Sequence, residues 1–298
     1  MGERHRFWLP ATPFARGRLA VLVGLAVLTL GAWALTAYQA QSMDMGMGIV
    51  ARGGAPAVDD AMDGMDGMAM EDSGTMAMSG MTAADWSLAS AATFLWVWAA
   101  MMAAMMFPAA APMLQLFQTM YAKRHAQGGA FVPTWVFAAD YLLVWTAIGA
   151  VTFVLVRLGS EFAGRLSAAD RGTWAPIALG ATLVLAGLYQ LTPLKRVCLD
   201  HCRTPMGFVM THWREGRLGA LRIGFIHGAY CLGCCWALFA VLVAAGVMSL
   251  AWMLLLTLIV FADKVLPIGR RTAFAVGVAF LALGTLVAAG ATNMPWMA

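Results

Sequence analysis

About seven runs of predominantly apolar residues, near 18–38, 86–107, 135–157, 174–193, 220–246, 248–264 and 272–292, decide what this chain can fold into. An α-helix rises about 1.5 Å per residue, so runs of this length cover a hydrocarbon core of about 30 Å. With 61% hydrophobic and 11% charged residues, a 298-residue chain is too apolar for a soluble globule. The expected fold is all-α, a polytopic helical membrane protein with about seven transmembrane helices. The first run follows Arg4, Arg6, Arg16 and Arg18 and is trailed by Ala34, Ala37 and Ala40, as in a signal peptide. Its apolar stretch exceeds a usual signal core, so an uncleaved helix is expected.

Basic residues fall on alternate connections. The N-terminal tail, the 108–134 segment with Lys123 and Arg124, the 194–222 segment with Lys195, Arg196, Arg203, Arg214, Arg217 and Arg222, and the Lys264–Arg271 turn form one set. The 39–85 segment has Arg52 as its only basic residue, and 246–248 is too short to carry charge. The 158–173 connection is mixed. By the positive-inside rule the N-terminus lies in the cytoplasm. The expected division is a cytoplasmic tail at 1–17, a first transmembrane helix at 18–38, an exterior loop at 39–85 and a six-helix membrane domain at 86–298 with a Cys/His loop at 194–222. The formal charge of +4 is accounted for by these loops, and no nucleic-acid surface is called for.

The exterior loop is compositionally odd. Ten of the 23 methionines lie between Met43 and Met81, including Met62, Met65, Met68 and Met70 in a Met-Asp-Gly repeat. Few aliphatic or aromatic residues among many Gly, Ser and Asp predict disorder without a ligand. A linker selected only for flexibility has no use for repeated methionine. Thioether sulfur is a soft, uncharged donor suited to Cu(I), so the loop reads as a copper-collecting segment, against a plain biased loop or an oxidation sink.

All five cysteines fall in 198–235, in Cys198-x-x-His201-Cys202 and His227-x-x-x-Cys231-x-x-Cys234-Cys235. Residues three and four apart share a helix face, so each segment offers two or three soft donors. Together they suit Zn(II) or Cu(I). Cysteines of a reduced cytoplasmic side are not expected as structural disulfides. Simple packing of small apolar thiols accounts for one such residue but poorly for five with two histidines. The Cys231-x-x-Cys234 pair leaves a redox role open, although no second pair lies on the exterior side to exchange with it.

Further in, Met101 and Met105, like Met102 and Met106, are four apart on one helix face, where filling gaps between helices competes with metal contact. Pro108 and Pro112 are expected to kink or end that helix, with an interfacial continuation through Leu114, Phe117 and Tyr121. Asp140, Asp263 and Lys264 are costly intramembrane charges. They read either as an Asp–Lys pair fastening the third and sixth helices or as groups that orient a ligand histidine and take its proton.

Three motifs stand in one order: Met101-Met-x-x-Met105-Met-x-Pro108, Tyr189-Gln-Leu-Thr-Pro193-Leu-Lys195-x-x-Cys198-Leu-x-His201-Cys202-Arg203-x-Pro205, and His227-Gly-x-Tyr230-Cys231-Leu-Gly-Cys234-Cys235-Trp236. Over roughly 85–265 the chain resembles a bacterial family of predicted metal-binding integral membrane proteins of unknown function. That resemblance implies a helical membrane fold, a bacterial inner-membrane location and a metal at the quoted positions. The family's Glu-Lys at the end of the sixth helix is Asp263-Lys264 here. Copper is inferred from this chain's own methionines.

The expected function is copper(I) handling, by transport or delivery: thioethers collect the ion outside and Cys/His ligands hold it in the cytoplasmic half, with a metallochaperone or recipient metalloprotein as partner. No Walker-type motif is present to power transport by ATP hydrolysis. A thiol-redox or cofactor-binding membrane enzyme, and a structural zinc scaffold or assembly subunit, stand as alternatives. Nothing in the sequence sets an oligomeric state.

Overall fold

The computed structural model describes residues 13–42, 86–128, 132–214, 216–245 and 249–290. The Met-rich stretch, with Met62, Met65, Met68 and Met70, lies outside the described residues. Those described form helices and the turns between them: α1 (Pro13–Ser42), α2 (Leu88–Ala126), α3 (Thr134–Gly164), α4 (Ala168–Leu191), α5 (Pro193–Arg203), α6 (Pro205–His212), α7 (Gly216–Ala245), α8 (Leu250–Val265) and α9 (Gly269–Ala288). Six, namely α1 to α4, α7 and α9, are long and apolar enough to cross a membrane. The run expected as a sixth crossing forms α8, whose 16 residues rise about 24 Å, short of a full hydrocarbon core.

Connections lie at alternate ends of the bundle. At one end Tyr121 of α2 donates to the carbonyl of Arg214 at 3.1 Å, Arg124 stands over the Trp213 ring, and Arg203 donates to the carbonyl of Pro267. At the other end the Trp86 indole N–H donates to Glu161 at 2.5 Å, and the buried Arg157 reaches Ser90 at 3.3 Å. The 108–134, 194–222 and 264–271 segments thus meet at one end.

The prolines of α2 do not end it. The helix runs for 39 residues through Pro108 and Pro112. Proline is tolerated inside membrane helices whose freed carbonyls find other partners. The expected interfacial continuation is core instead: Leu114, Phe117 and Tyr121 are buried, and Phe117 packs on Phe137 with ring centroids 5.0 Å apart. The α4–α5 boundary is set by Thr192, whose hydroxyl accepts from the Lys195 amide, and by Pro193 in the first turn, where a missing N–H costs nothing. Pro205 separates α5 from α6 in the same way.

Glycines bring α4 and α9 together. A Cβ on Gly180 would stand 2.7 Å from the Gly284 carbonyl, and one on Gly187 would stand 2.8 Å from that of Gly277. Backbones this close are the membrane solution to packing without a hydrophobic driving force. Gly180→Ala should therefore force the helices apart at a cost of about 1–3 kcal/mol, read as a lower thermal midpoint in detergent. Gly24→Ala, with nothing within 4 Å of the added carbon, should leave the midpoint unchanged or raise it slightly.

Candidate metal centre

Two helices, α5 and α7, supply the thiols, and α5 is fastened before it can present any. Lys195, 1% exposed, reaches the Asp263 carboxylate of α8 at 2.7 Å and also donates to Gln190. Arg203 donates to the backbone carbonyl of Asp263, and Arg270 of α9 grips Asp200 through both carboxylate oxygens at 2.9 and 3.0 Å. An Asp–Lys fastener does exist, but it joins Asp263 to Lys195 and not to a lysine facing Asp140. Asp140 instead points at α7 beside Gly224, and its Oδ2 has no hydrogen-bond partner among the described residues.

So held, α5 sets Cys198 and Cys202, one turn apart, against α7. Cys198 approaches over Gly233, where a Cβ would come within 2.9 Å of its sulfur. Cys202 Sγ lies 4.0 Å from Cys234 Sγ, and Cys234 Sγ lies 3.3 Å from Cys235 Sγ. The thiols of Cys202, Cys234 and Cys235 all interact with Cys231, and the three on α7 are buried. All five cysteines are free.

Cys231 is the centre of this cluster. Lys264 donates to its sulfur at 2.7 Å, and the Tyr141 hydroxyl bonds it at 2.9 Å. An ammonium and a phenol on one sulfur are a thiolate's partners. Lys264 was read from sequence as a costly charge; its partner turns out to be sulfur. Tyr141 was missed, because a tyrosine in an apolar run carries no signal until its neighbours are known.

The two histidines part company. His227 is buried among Phe137, Tyr141 and Phe208, and its Nδ1 has no hydrogen-bond partner among the described residues. His201 instead stacks flat on Tyr230 at 4.2 Å and shares a hydrogen bond with the carbonyl of Val197. The structure brings His227 to the thiol cluster's edge and leaves His201 outside it.

A cavity of about 140 Å³ adjoins the cluster, lined by Ala109, Pro112, Met113, Cys202, Arg203, Pro205, His227, Lys264 and Val265. It holds a thioether, a thiol, an imidazole and an ammonium in one small space. Met113 was also missed, although the signal was present: it lies seven residues beyond Met106, on the same helix face. Met101, Met102, Met105, Met106 and Met113 are all buried within the core of α2. These thioethers are enclosed in protein, where gap-filling and metal contact are both sterically allowed.

Charge on α5 follows its partners. The Cys202 thiol is pushed up by its hydrogen bond with Cys231 and by burial, and Cys198 is raised by burial. Both carry their protons at neutral pH, so a metal that binds them must release protons. Among the described residues no group of three or more His, Cys, Asp and Glu side chains stands ready to hold a metal ion. The donors are nevertheless of one kind: thiols, with a thioether and a neutral imidazole beside them, a set that suits a soft monovalent d10 ion.

A family model described as PpoB2, copper chaperone, matches residues 95–287. The chain belongs to this copper-chaperone family. No curated protein and no solved structure matches it. The matched span runs from α2 into α9 and so takes in the α2 methionines and every cysteine, while the Met-rich stretch lies before it. Copper, read from the methionines of this chain, is also the metal of the copper-chaperone family. Six helices long and apolar enough to cross a membrane are consistent with a multi-pass membrane protein.

Proposed function

We propose that this chain is a membrane copper chaperone, its N-terminus cytoplasmic and α8 a short seventh crossing beside six full ones, that takes Cu(I) on exterior thioethers and delivers it through the thiol cluster to a recipient metalloprotein. The observation that carries this reading is the meeting of half-buried Cys202 with buried Cys231, Cys234 and Cys235, where Cys231 takes the Lys264 ammonium. A Cys231 sulfur already paired with one positive charge can exchange that charge for another. Cu(I) is a soft monocation, so replacing the ammonium at Cys231 leaves the local charge unchanged, whereas a dication would add to it in a low-dielectric site. Lys264 also lines the adjoining cavity, and loss of one proton from the site as the ion binds keeps its charge constant.

Transfer then proceeds by ligand exchange. The methionines between 43 and 81 hold Cu(I) without giving up protons, those of α2 offer further uncharged sulfur within the membrane, and Met113 and His227 stand beside Cys202 at the basic end. Each sulfur binds the ion before the previous one lets go, which avoids a bare cation in apolar surroundings. Asp263, paired with Lys195, positions α5 along this route.

The reading is tested on protein purified anaerobically in detergent, by elemental analysis of the intact chain and of one lacking 43–81. Copper is expected in both after loading from excess, with the shortened chain loading more slowly from dilute Cu(I). Stoichiometric zinc, lost only on unfolding and indifferent to the deletion, would make the cluster a structural site. A disulfide between Cys231 and Cys234 that turns over with a thiol donor would make the protein a redox enzyme.

A further inference from the structure

At the basic end, on the outer side of α5, two cavities flank the Asp200–Arg270 ion pair. The first, of about 480 Å³, is walled by Gln190 and Leu191 of α4, Arg196 and Leu199 of α5, and Arg271 and Phe274 of α9, among others. The second, of about 680 Å³, lies across the same ion pair and adds Arg203 and Ile268. Four arginines therefore line the two cavities against one acid, Asp200, which Arg270 already neutralises. Lys195 is committed to Asp263. Of these arginines only Arg203 also lines the cavity beside the thiols.

Two polar groups in the first cavity are short of partners. The Arg271 guanidinium makes no hydrogen bond or ion pair among the described residues. Gln190, 3% exposed, accepts from Lys195 but leaves its Nε2 without an acceptor. Both are donors, so what fits between them is an acceptor-rich anion. Phe274 and Ile268, which wall the cavities, are exposed, as is Val278 one turn along α9. A polar acceptor at the floor and apolar walls running on along a membrane helix match one ligand class.

We propose that this face binds the phosphate head group of an anionic phospholipid, with its acyl chains against Phe274 and Val278. Basic pockets between helices at the membrane edge have this chemistry. A free phosphate would satisfy Arg271 and Gln190 but leave the apolar wall uncovered, which is why lipid is the source chosen. A lipid there bridges α4, α5 and α9. It would brace the helix that carries Cys198 and Cys202, and it does not depend on which metal the thiols hold.

The test is native mass spectrometry of the intact chain in detergent, titrated with phosphatidylglycerol, phosphatidylcholine and inorganic phosphate. Phosphatidylglycerol should bind well above phosphatidylcholine. Replacing Arg196 and Arg271 together by glutamine should weaken it about thirty-fold, and Arg271→Gln alone about five-fold. Arg271→Lys should retain most of the binding, and Arg217→Gln, outside both cavities, should change nothing. Equal retention of the two lipids, or undiminished phosphatidylglycerol on the glutamine variants, would overturn the proposal. Displacement of bound lipid by millimolar phosphate would also overturn it, by assigning the site to a free anion. Should the double variant fail to fold, the single Arg271→Gln and Arg271→Lys chains decide the matter.

Discussion

Asp263→Ala should be the most destabilising single substitution among the charged residues, costing about 3–5 kcal/mol. Removing the carboxylate strands the Lys195 ammonium, which is almost wholly buried, with the Gln190 side chain as its remaining bonded partner. An unpaired charge in such surroundings is far costlier than a missing ion pair. Asp200→Ala breaks an ion pair of better hydrogen-bond geometry, yet its members are 42% and 70% exposed, so the change should cost about 1 kcal/mol or less. Replacing Lys195 and Asp263 together by methionine and leucine should recover most of the loss, because neither charge is then left behind. Unfolding of the four chains in mixed detergent micelles reads the difference. Equal midpoints for Asp263→Ala and Asp200→Ala would mean that water reaches Lys195 and that α5 is not fastened from within.

That fastening could not be read from the chain. Length and apolarity were enough to give an all-helical membrane fold, since a membrane leaves a continuous apolar run little else to become. What they could not give is which charges meet. Asp263 and Lys264 are adjacent in sequence and so point to different sides of α8, one to Lys195 and the other to Cys231. Asp140 looked like a partner for Lys264, because sequence gives no distance between helices. The same blindness explains α2. Pro108 and Pro112 signal a break in water, and only the buried surfaces of Phe117 and Tyr121 on neighbouring helices show why the helix continues.

The thiol site was more legible, for a reason of period. Cys198 with Cys202 and Cys231 with Cys235 repeat every four residues, and side chains at that spacing must share a face. Two such faces within one short stretch meet when the chain turns back on itself, as α5 does against α7. His201, three residues after Cys198, has a helical spacing too, yet it stacks on the flat ring of Tyr230. Met113 fell inside by a seven-residue step that was easy to pass over beside the denser methionines before it.

Cys231→Ser should weaken soft-metal binding by more than about a hundredfold, beyond the 10–100-fold range for groups that merely support a ligand. Serine preserves the shape, and its hydroxyl can still accept from Lys264 and bond Tyr141, so the ammonium keeps a hydrogen-bond partner though not a counter-charge, and affinity is compared per folded chain recovered. What is lost is the soft donor, for which a hydroxyl is no substitute toward Cu(I). Ag(I), a redox-inert stand-in of the same charge, gives the affinity by competition with a coloured chelator. His201→Ala provides the contrast: removed from the thiols and stacked on Tyr230, it should shift Ag(I) affinity by less than about threefold. Undiminished binding by Cys231→Ser, with a loss on His201→Ala, would move the metal to the outer face of α5. The opposite result makes Lys264 the ion's rival for one sulfur, and then delivery requires only a recipient whose thiols hold copper more tightly than this cluster holds it against its own ammonium.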